Sequence, residues 1–173
     1  YAPNFGAQAL EAKRTNTIGA LIPTMENAIF ATGLQAFQEE LGQHGLDLHV
    51  ASSSYRPDIE EEQIRTLIAR GADGLLLIGH DRSEEIYGFL DRRNVPYVVA
   101  WVFDPAAPRL SIGFDNRAAM KAMTIEILRK GHRRLGVITA RTESNDRARE
   151  RLDGIREAID EHGTGAVSLK VHE

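Results

Sequence analysis

The run Gly74-Leu-Leu-Leu-Ile78 constrains the fold of this chain more than any other feature. It is continuously apolar, with none of the polar alternation that marks a strand with one face in water. That is the signature of a central strand in a parallel sheet covered on both sides. Such a sheet needs helical crossovers, so the rest of the chain must supply helices between its strands.

The remaining sequence meets that requirement. Strand-like segments are Thr17–Ile22, Leu46–Ser52, Pro96–Ala100, Leu110–Phe114 and Leu135–Thr139, and Ala166–Val171 opens a further one. Between them, Phe30, Leu34, Phe37 and Leu41 recur at helical spacing and Gly45 closes the stretch. Asp58 with Glu61 forms a capping-box pattern ahead of Ile64, Leu67 and Ile68. Glu84–Arg93 reads as a helix. Met120, Met123, Thr124, Ile127 and Leu128 make a stripe stopped at Gly131, and Ala148, Leu152, Ile155 and Ile159 line one more helix. This alternation predicts an α/β fold with parallel strands flanked by helices and right-handed crossovers. Pro105 and Pro108 break the strand-rich stretch from Tyr97 to Phe114, where the chain is expected to pass between lobes just after Asp115-Asn116.

Composition narrows the function classes. The chain of 173 residues carries a formal net charge of -4, which argues against a broad basic face that grips DNA by itself. It has no cysteine, which removes disulfides, zinc–thiolate sites and thiol nucleophiles and favours a cytoplasmic home. No apolar run is long enough to span a bilayer, and no signal peptide opens the chain, so no membrane partner is expected. The first strand is followed by Pro23-Thr-Met-Glu26, neither a Walker loop nor a Gly-x-Gly-x-x-Gly turn. Ser52–Ser54 lies in no Gly-x-Ser-x-Gly elbow. His80, Asp81 and Glu84 match no zinc or calcium spacing, and carboxylates near a helix start are ordinarily dipole partners. No enzyme activity, metal or cofactor is therefore expected.

In an open α/β sheet a ligand sits beyond the carboxyl ends of the strands. Those positions are Thr24–Phe30, Ser52–Tyr55, Gly79–Asp81, Trp101, Asp115 and Ala140–Asn145. The set is polar with a few aromatics, which suits a sugar-like ligand. Several members have a second reading. Trp101 is either a ligand platform or core. Phe30 also fits the core stripe of its helix. Asp115 accepts from a ligand hydroxyl or caps the helix beginning near Arg117. Arg151 offers a planar fork of donors, or belongs to a solvated helix face with Arg147 and Arg149.

The N-terminal segment carries a resemblance. Tyr1-x-Pro3-Asn4-x-x-Ala7-x-x-Leu10 is followed by Lys13-Arg14 and then Ile18-Gly19. Its helix-forming part is shorter than the roughly 12–15 residues an isolated helix needs in water. This pattern resembles the hinge of the LacI/GalR family of bacterial repressors. Ile18-Gly-Ala-Leu-Ile-Pro23, Gly71-Ala-Asp-Gly-Leu-Leu-Leu-Ile78, Asn94-Val-Pro-Tyr-Val-Val99, Ile112-Gly-Phe-Asp-Asn116, Lys130-Gly-His-Arg-Arg-Leu-Gly-Val-Ile138 and Arg147-Ala-Arg-Glu-Arg-Leu-Asp-Gly154 continue it in order.

The resemblance implies a two-lobed periplasmic-binding-protein-like fold, the first lobe mostly present and the second truncated. Residues 1–16 would be the hinge and linker, 17–116 the first effector-binding lobe, and 117–173 the start of the second. A helix-turn-helix reader would precede Tyr1, which is not a start methionine. Asn4, Ala7 and Leu10 map onto hinge positions that face the DNA minor groove, Leu10 as the wedge that kinks it. Gln8 departs from the arginine often found there. Ile29, Phe30 and Arg151 map onto effector-site positions, with Ile29 replacing a frequent aromatic, and together with the strand-end residues His80, Trp101, Asp115 and Asn145 they form the candidate effector set.

The function implied is an effector-responsive transcriptional regulator, acting as a homodimer on operator DNA and switched by a small molecule, a sugar or sugar derivative. The alternative is a periplasmic-type sugar-binding receptor, which has no use for a hinge. At this length the chain is expected to be unstable or oligomeric, because a truncated second lobe exposes a sheet edge.

Overall fold

The computed structural model describes residues 14–173, so the hinge positions Asn4, Ala7 and Leu10 lie outside the described residues. The elements alternate as the sequence predicts. They are β1 (Thr17–Ile22), α1 (Ala28–Gln43), β2 (Asp47–Ser52), α2 (Pro57–Ala69), β3 (Gly74–Ile78) and α3 (Glu84–Arg92). There follow β4 (Tyr97–Ala100), β5 (Ser111–Ile112), α4 (Asn116–Arg129), β6 (Arg134–Ile138), α5 (Asp146–His162) and β7 (Ser168–His172). The fold is thus α/β with parallel strands between helices.

Packing groups the described residues into two compact units. The first runs to Ile78 and resumes at Arg82–Val98; the second comprises Gly79–Asp81 and Val99–Glu173. The sequence expectation places the change of lobe after Asn116, whereas this grouping puts Val99 onward with the later elements.

In the first unit β1 pairs in parallel with β2 on one side and β3 on the other, Leu21 lying opposite Ala51 and Leu77. Leu75 N donates to Pro96 O over 3.0 Å, which brings the chain entering β4 alongside β3. Leu21, Leu75 and Leu77 pack with Ile64 and Leu67 of α2 and Ile86 and Leu90 of α3. Ile64, Leu77 and Leu90 have no exposed surface. A fully buried aliphatic side chain stabilises a fold by roughly 1.5–3 kcal/mol, so this layer anchors the unit. A Cβ at Gly19 would stand 2.7 Å from Leu75 Cδ2, which explains glycine in the middle of a central strand.

Two local expectations are corrected. Asp58 and Glu61 do not form a capping box: α2 begins two residues earlier than that would require, with Arg56 at the cap making no side-chain bond and Pro57 in the first turn. Proline fixes the first helical φ and needs no amide donor there, so it sets the start. The strand expected over Leu110–Phe114 shortens to Ser111–Ile112. Gly113 leaves the ladder at φ 156°, and a Cβ there would strike the backbone at Trp101–Val102.

In the second unit β5 pairs in parallel with the end of β4, Val99 opposite Ser111 and Ala100 opposite Ile112. β6 and β7 form a separate parallel pair in which Leu135 lies opposite Leu169 and Val137 opposite Val171. Helices α4 and α5 pack closely because Gly154 in α5 meets the backbone of α4. A Cβ at Gly154 would run into Arg117 O and stand 3.1 Å from Lys121 N.

Candidate functional site

A cleft of about 580 Å³ opens within the second unit. Its wall is built from the Gly79-following turn at His80-Asp81, the loop from Val102 to Arg109, and the first turns of α4 and α5. Each of these helices begins at an Asx cap. Asp115 Oδ1 accepts from Ala118 N over 2.8 Å at the start of α4. Asn145 Oδ1 accepts from Ala148 N over 3.3 Å at the start of α5. The caps satisfy amides that the helices leave unpaired and fix where the following side chains emerge.

Asn116, in the first turn of α4 and only 4% exposed, organises one side of the cleft. Its Nδ2 donates to Trp101 O over 3.1 Å and its Oδ1 accepts from Arg151 Nη1 over 2.7 Å. Trp101 is half-buried and takes φ 63°, a conformation rare for a bulky residue, so the bond to its carbonyl holds a strained turn at the end of β4. One amide therefore ties together a strand end, a helix start and a guanidinium.

The opposite side rests on a buried ion pair. Arg147 Nη1 stands 2.7 Å from Asp146 Oδ1, with both side chains about nine-tenths buried. Asp146 Oδ2 also accepts from His80 N. Gly79 takes φ 73°, and a Cβ there would collide with Arg147 Nη1 and Asp146 Oδ1. Next to it, Arg149 Nη1 donates to Asp81 Oδ2 over 3.1 Å and to Thr142 O over 3.2 Å. The hydrogen bond to Asp81 holds the Arg149 guanidinium's pKa above its usual range.

Arg117 spans the groove between α4 and α5. Its Nε meets Glu150 Oε2 at 2.6 Å, its Nη1 meets Glu157 Oε1 at 2.7 Å and its Nη2 meets Asp153 Oδ2 at 3.4 Å. The hydrogen bond to Glu150 is the main cause of its raised pKa. Lys121 extends the ladder to Glu157 and Glu161. Two phenyl rings, Phe103 and Phe114, line the cleft about half exposed. The surface thus offers fixed polar groups beside apolar ring faces, the combination that binds a small polyhydroxylated molecule.

The residues named from the sequence distribute as follows. His80 and Asp115 line this cleft. Trp101 and Arg151 connect to it through Asn116. Asn145 is 3% exposed and engaged as the α5 cap. In the first unit, Phe30 is 5% exposed and packed into the interior, while Ile29 is largely exposed on the first turn of α1. Asp81 falls within the strand-end set expected from the sequence, whereas Asn116 and Asp146 fall outside it, and Arg147 and Arg149, expected on a solvated helix face, are engaged in ion pairs. Arg149 pairs with Asp81 and Asp146 accepts from His80 N, both far away in the chain, so no local spacing announces these two contacts.

Residues 15–172 match the family described as periplasmic binding proteins and sugar binding domain of LacI family. The chain is 27% identical over its whole length to the HTH-type transcriptional regulator GntR of Escherichia coli, covering 52% of that protein. A LacI-family transcriptional regulator from Silicibacter pomeroyi superposes with a TM-score of 0.87 at 27% identity, over 99% of this chain and 51% of that one. The Cra transcriptional dual regulator of Pseudomonas putida, solved with fructose 1-phosphate, superposes with a TM-score of 0.77 at 25% identity, over 91% of this chain and 58% of that one. The chain spans about half the length of the curated relatives it matches.

Proposed function

The chain belongs to the family of periplasmic binding proteins and LacI-type sugar-binding domains, and from that premise we propose that it is the effector-binding part of a DNA-binding transcriptional regulator. Its ligand is a small carbohydrate or carbohydrate derivative. The observation that carries this reading is the cleft of the second unit, where the half-exposed Phe114 ring stands beside Asp115 and Asn116. The Asp115 carboxylate accepts from ligand hydroxyls. Asn116 holds Arg151 ready as a donor. Phe103 and Phe114 cover the apolar face of a sugar ring.

Regulation follows from linkage. A ligand that binds one conformation of the protein better than another shifts the equilibrium between them, and DNA affinity changes by the same coupling energy. The regulator acts as a symmetric homodimer in the cytoplasm, its operator a pseudo-palindrome matched to that symmetry. Asn4, Ala7 and Leu10 enter the operator's minor groove as the hinge. His80, Trp101 and Asn145 support this cleft, whereas Ile29 and Phe30 stand as effector positions on the family resemblance alone. Relatives of this chain are transcriptional regulators, which supports a binding protein over an enzyme.

Calorimetric titration of the full-length regulator with a panel of sugars tests the effector site. One member of the panel binds, and Arg151→Ala weakens that binding by about tenfold or more, as expected where a directed hydrogen bond is lost. Unchanged affinity in the variant would remove Arg151 and its Asn116 partner from the site.

A further inference from the structure

We infer that Asp73 is a positioning residue for DNA binding: it clamps the chain where it enters the first unit and so sets the point from which the segment before Thr15 departs toward operator DNA. This rests on the regulator reading above and goes beyond it, since Asp73 stands outside the cleft.

Asp73 follows a turn that the interior itself holds. Past the end of α2, Gly71 takes φ 96° and its amide donates to Ile68 O over 2.9 Å, while Ala72 N donates to Leu67 O over 3.0 Å. These bonds close the helix with a left-handed residue after its cap. Leu67 and Ala72 are both buried in the core layer of the first unit. The Asp73 side chain therefore starts from a fixed backbone.

Its carboxylate reaches the two residues just before β1. Asp73 Oδ2 accepts from Thr15 N over 3.0 Å and from Asn16 N over 2.8 Å. Amides donating to a carboxylate make charge-assisted bonds, stronger than those to a neutral acceptor. Gly71 adds a second hold. Its carbonyl accepts from the Thr15 hydroxyl, and a Cβ on it would stand 2.6 Å from Thr15 Cγ2, so glycine leaves the space that the threonine methyl fills.

The bend that follows is fixed as well. Asn16 takes φ 55°, a left-handed conformation that asparagine adopts more readily than most residues. Asn16 O accepts from Asp47 N and Thr17 O accepts from Asp73 N, both over 2.8 Å. The clamp thus lies where β1, β2 and β3 begin, at the amino ends of parallel strands whose carboxyl ends face ligands in such sheets.

A tether that starts from a fixed point delivers its DNA-contacting part at a higher effective concentration than one that starts from a loose loop. It also leaves fewer residues to be ordered on binding. Breaking the clamp frees Thr15 and Asn16, and DNA binding weakens although no residue of the cleft has changed.

The test measures binding of the full-length protein to promoter DNA from its own locus by fluorescence anisotropy, beside the urea unfolding midpoint of each variant. Asp73→Ala is expected to weaken DNA binding about tenfold, as expected for the loss of hydrogen bonds to a charged group. Asp73→Asn keeps an acceptor oxygen for both amides and is expected to bind more tightly than the alanine variant. Ile64→Val, a change in the buried layer of the same unit that leaves the clamp intact, is expected to lower the midpoint and keep the wild-type DNA affinity. Where Asp73→Ala does not fold, Thr15→Ala, which removes only the hydroxyl and methyl held by Gly71, takes its place and is expected to weaken DNA binding about threefold or more. Wild-type DNA affinity in the clamp variant, no recovery in Asp73→Asn, or an equal loss in Ile64→Val overturns the inference and leaves the regulator reading in place. A wild-type protein with no affinity for the DNA overturns both.

Discussion

Arg151 reaches Asn116 from the other side of a helix pair, donating from Nη1 to Oδ1 over 2.7 Å, while the same amide donates from Nδ2 to Trp101 O over 3.1 Å. Asn116 thus sets both the direction of a guanidinium and the turn that presents an aromatic. Asn116→Ala removes the donor to the Trp101 carbonyl and the Oδ1 acceptor of the Arg151 guanidinium. A loss of about 1–3 kcal/mol is expected in urea unfolding, together with weaker effector binding. A variant that unfolds at the wild-type midpoint and binds as wild type would remove Asn116 from this role.

The ion pair of Asp146 and Arg147 is buried on both sides. Deleting one partner strands the other, so Arg147→Leu is expected to cost about 3–5 kcal/mol. Gly79→Ala attacks the same point from the other direction, since its methyl group would occupy the space of Arg147 Nη1 at a φ of 73°. Thermal melts read both. A melting temperature unchanged in either variant would show that the turn at Gly79–Asp81 does not depend on this pair.

Two helical glycines should respond with opposite signs. Gly42, in α1, has nothing within 4 Å of where a Cβ would stand. Gly42→Ala should stabilise by about 0.5–1 kcal/mol through helix propensity alone. Gly154→Ala places a methyl group against Arg117 O in the α4–α5 contact and should destabilise by about 1–3 kcal/mol. Denaturant midpoints moving in the same direction for both would refute the close packing of the two helices.

The Lys121–Glu161 pair, 2.8 Å apart, predicts a pH effect. The hydrogen bond to Lys121 holds the Glu161 carboxyl below its ordinary range. A carboxylate with a lowered folded-state pKa contributes stability above its unfolded pKa and loses it as pH falls through the folded value. The contribution is therefore full at neutral pH and disappears only in acid. Carboxyl NMR titration should place Glu161 below a free glutamate and return it toward that value in Lys121→Ala. An unmoved titration curve in the variant would mean that the pair does not persist in solution.

How much of this was legible in the sequence depended on the range of the interaction. Gly74–Ile78 announced a buried central strand, and that strand has the expected bounds with Leu77 fully buried. Asp115 announced a helix cap, and it caps α4. These are local signals, set by neighbouring residues. The capping box at Asp58 failed because Pro57, one residue earlier, fixes the helix start more rigidly than a side-chain bond does. The contacts of Asn116 with Arg151, of Asp81 with Arg149 and of Asp146 with the His80 amide are not legible, because only folding brings those groups near, and what the sequence hides of the neighbouring Asp146 and Arg147 is their burial. A run such as Arg147-Ala-Arg-Glu-Arg151 looks like a charged solvated face, yet its three arginines have three different partners: Asp146, Asp81 and Asn116.

The most direct test of the proposed function uses fluorescence anisotropy of promoter DNA from the gene's own locus, titrated with the full-length protein in the presence and absence of a panel of sugars. The account predicts salt-sensitive DNA binding whose affinity one sugar changes by about 5- to 150-fold, the usual range of allosteric coupling. Sugar binding with no affinity for DNA, or DNA binding that no sugar shifts, would contradict it.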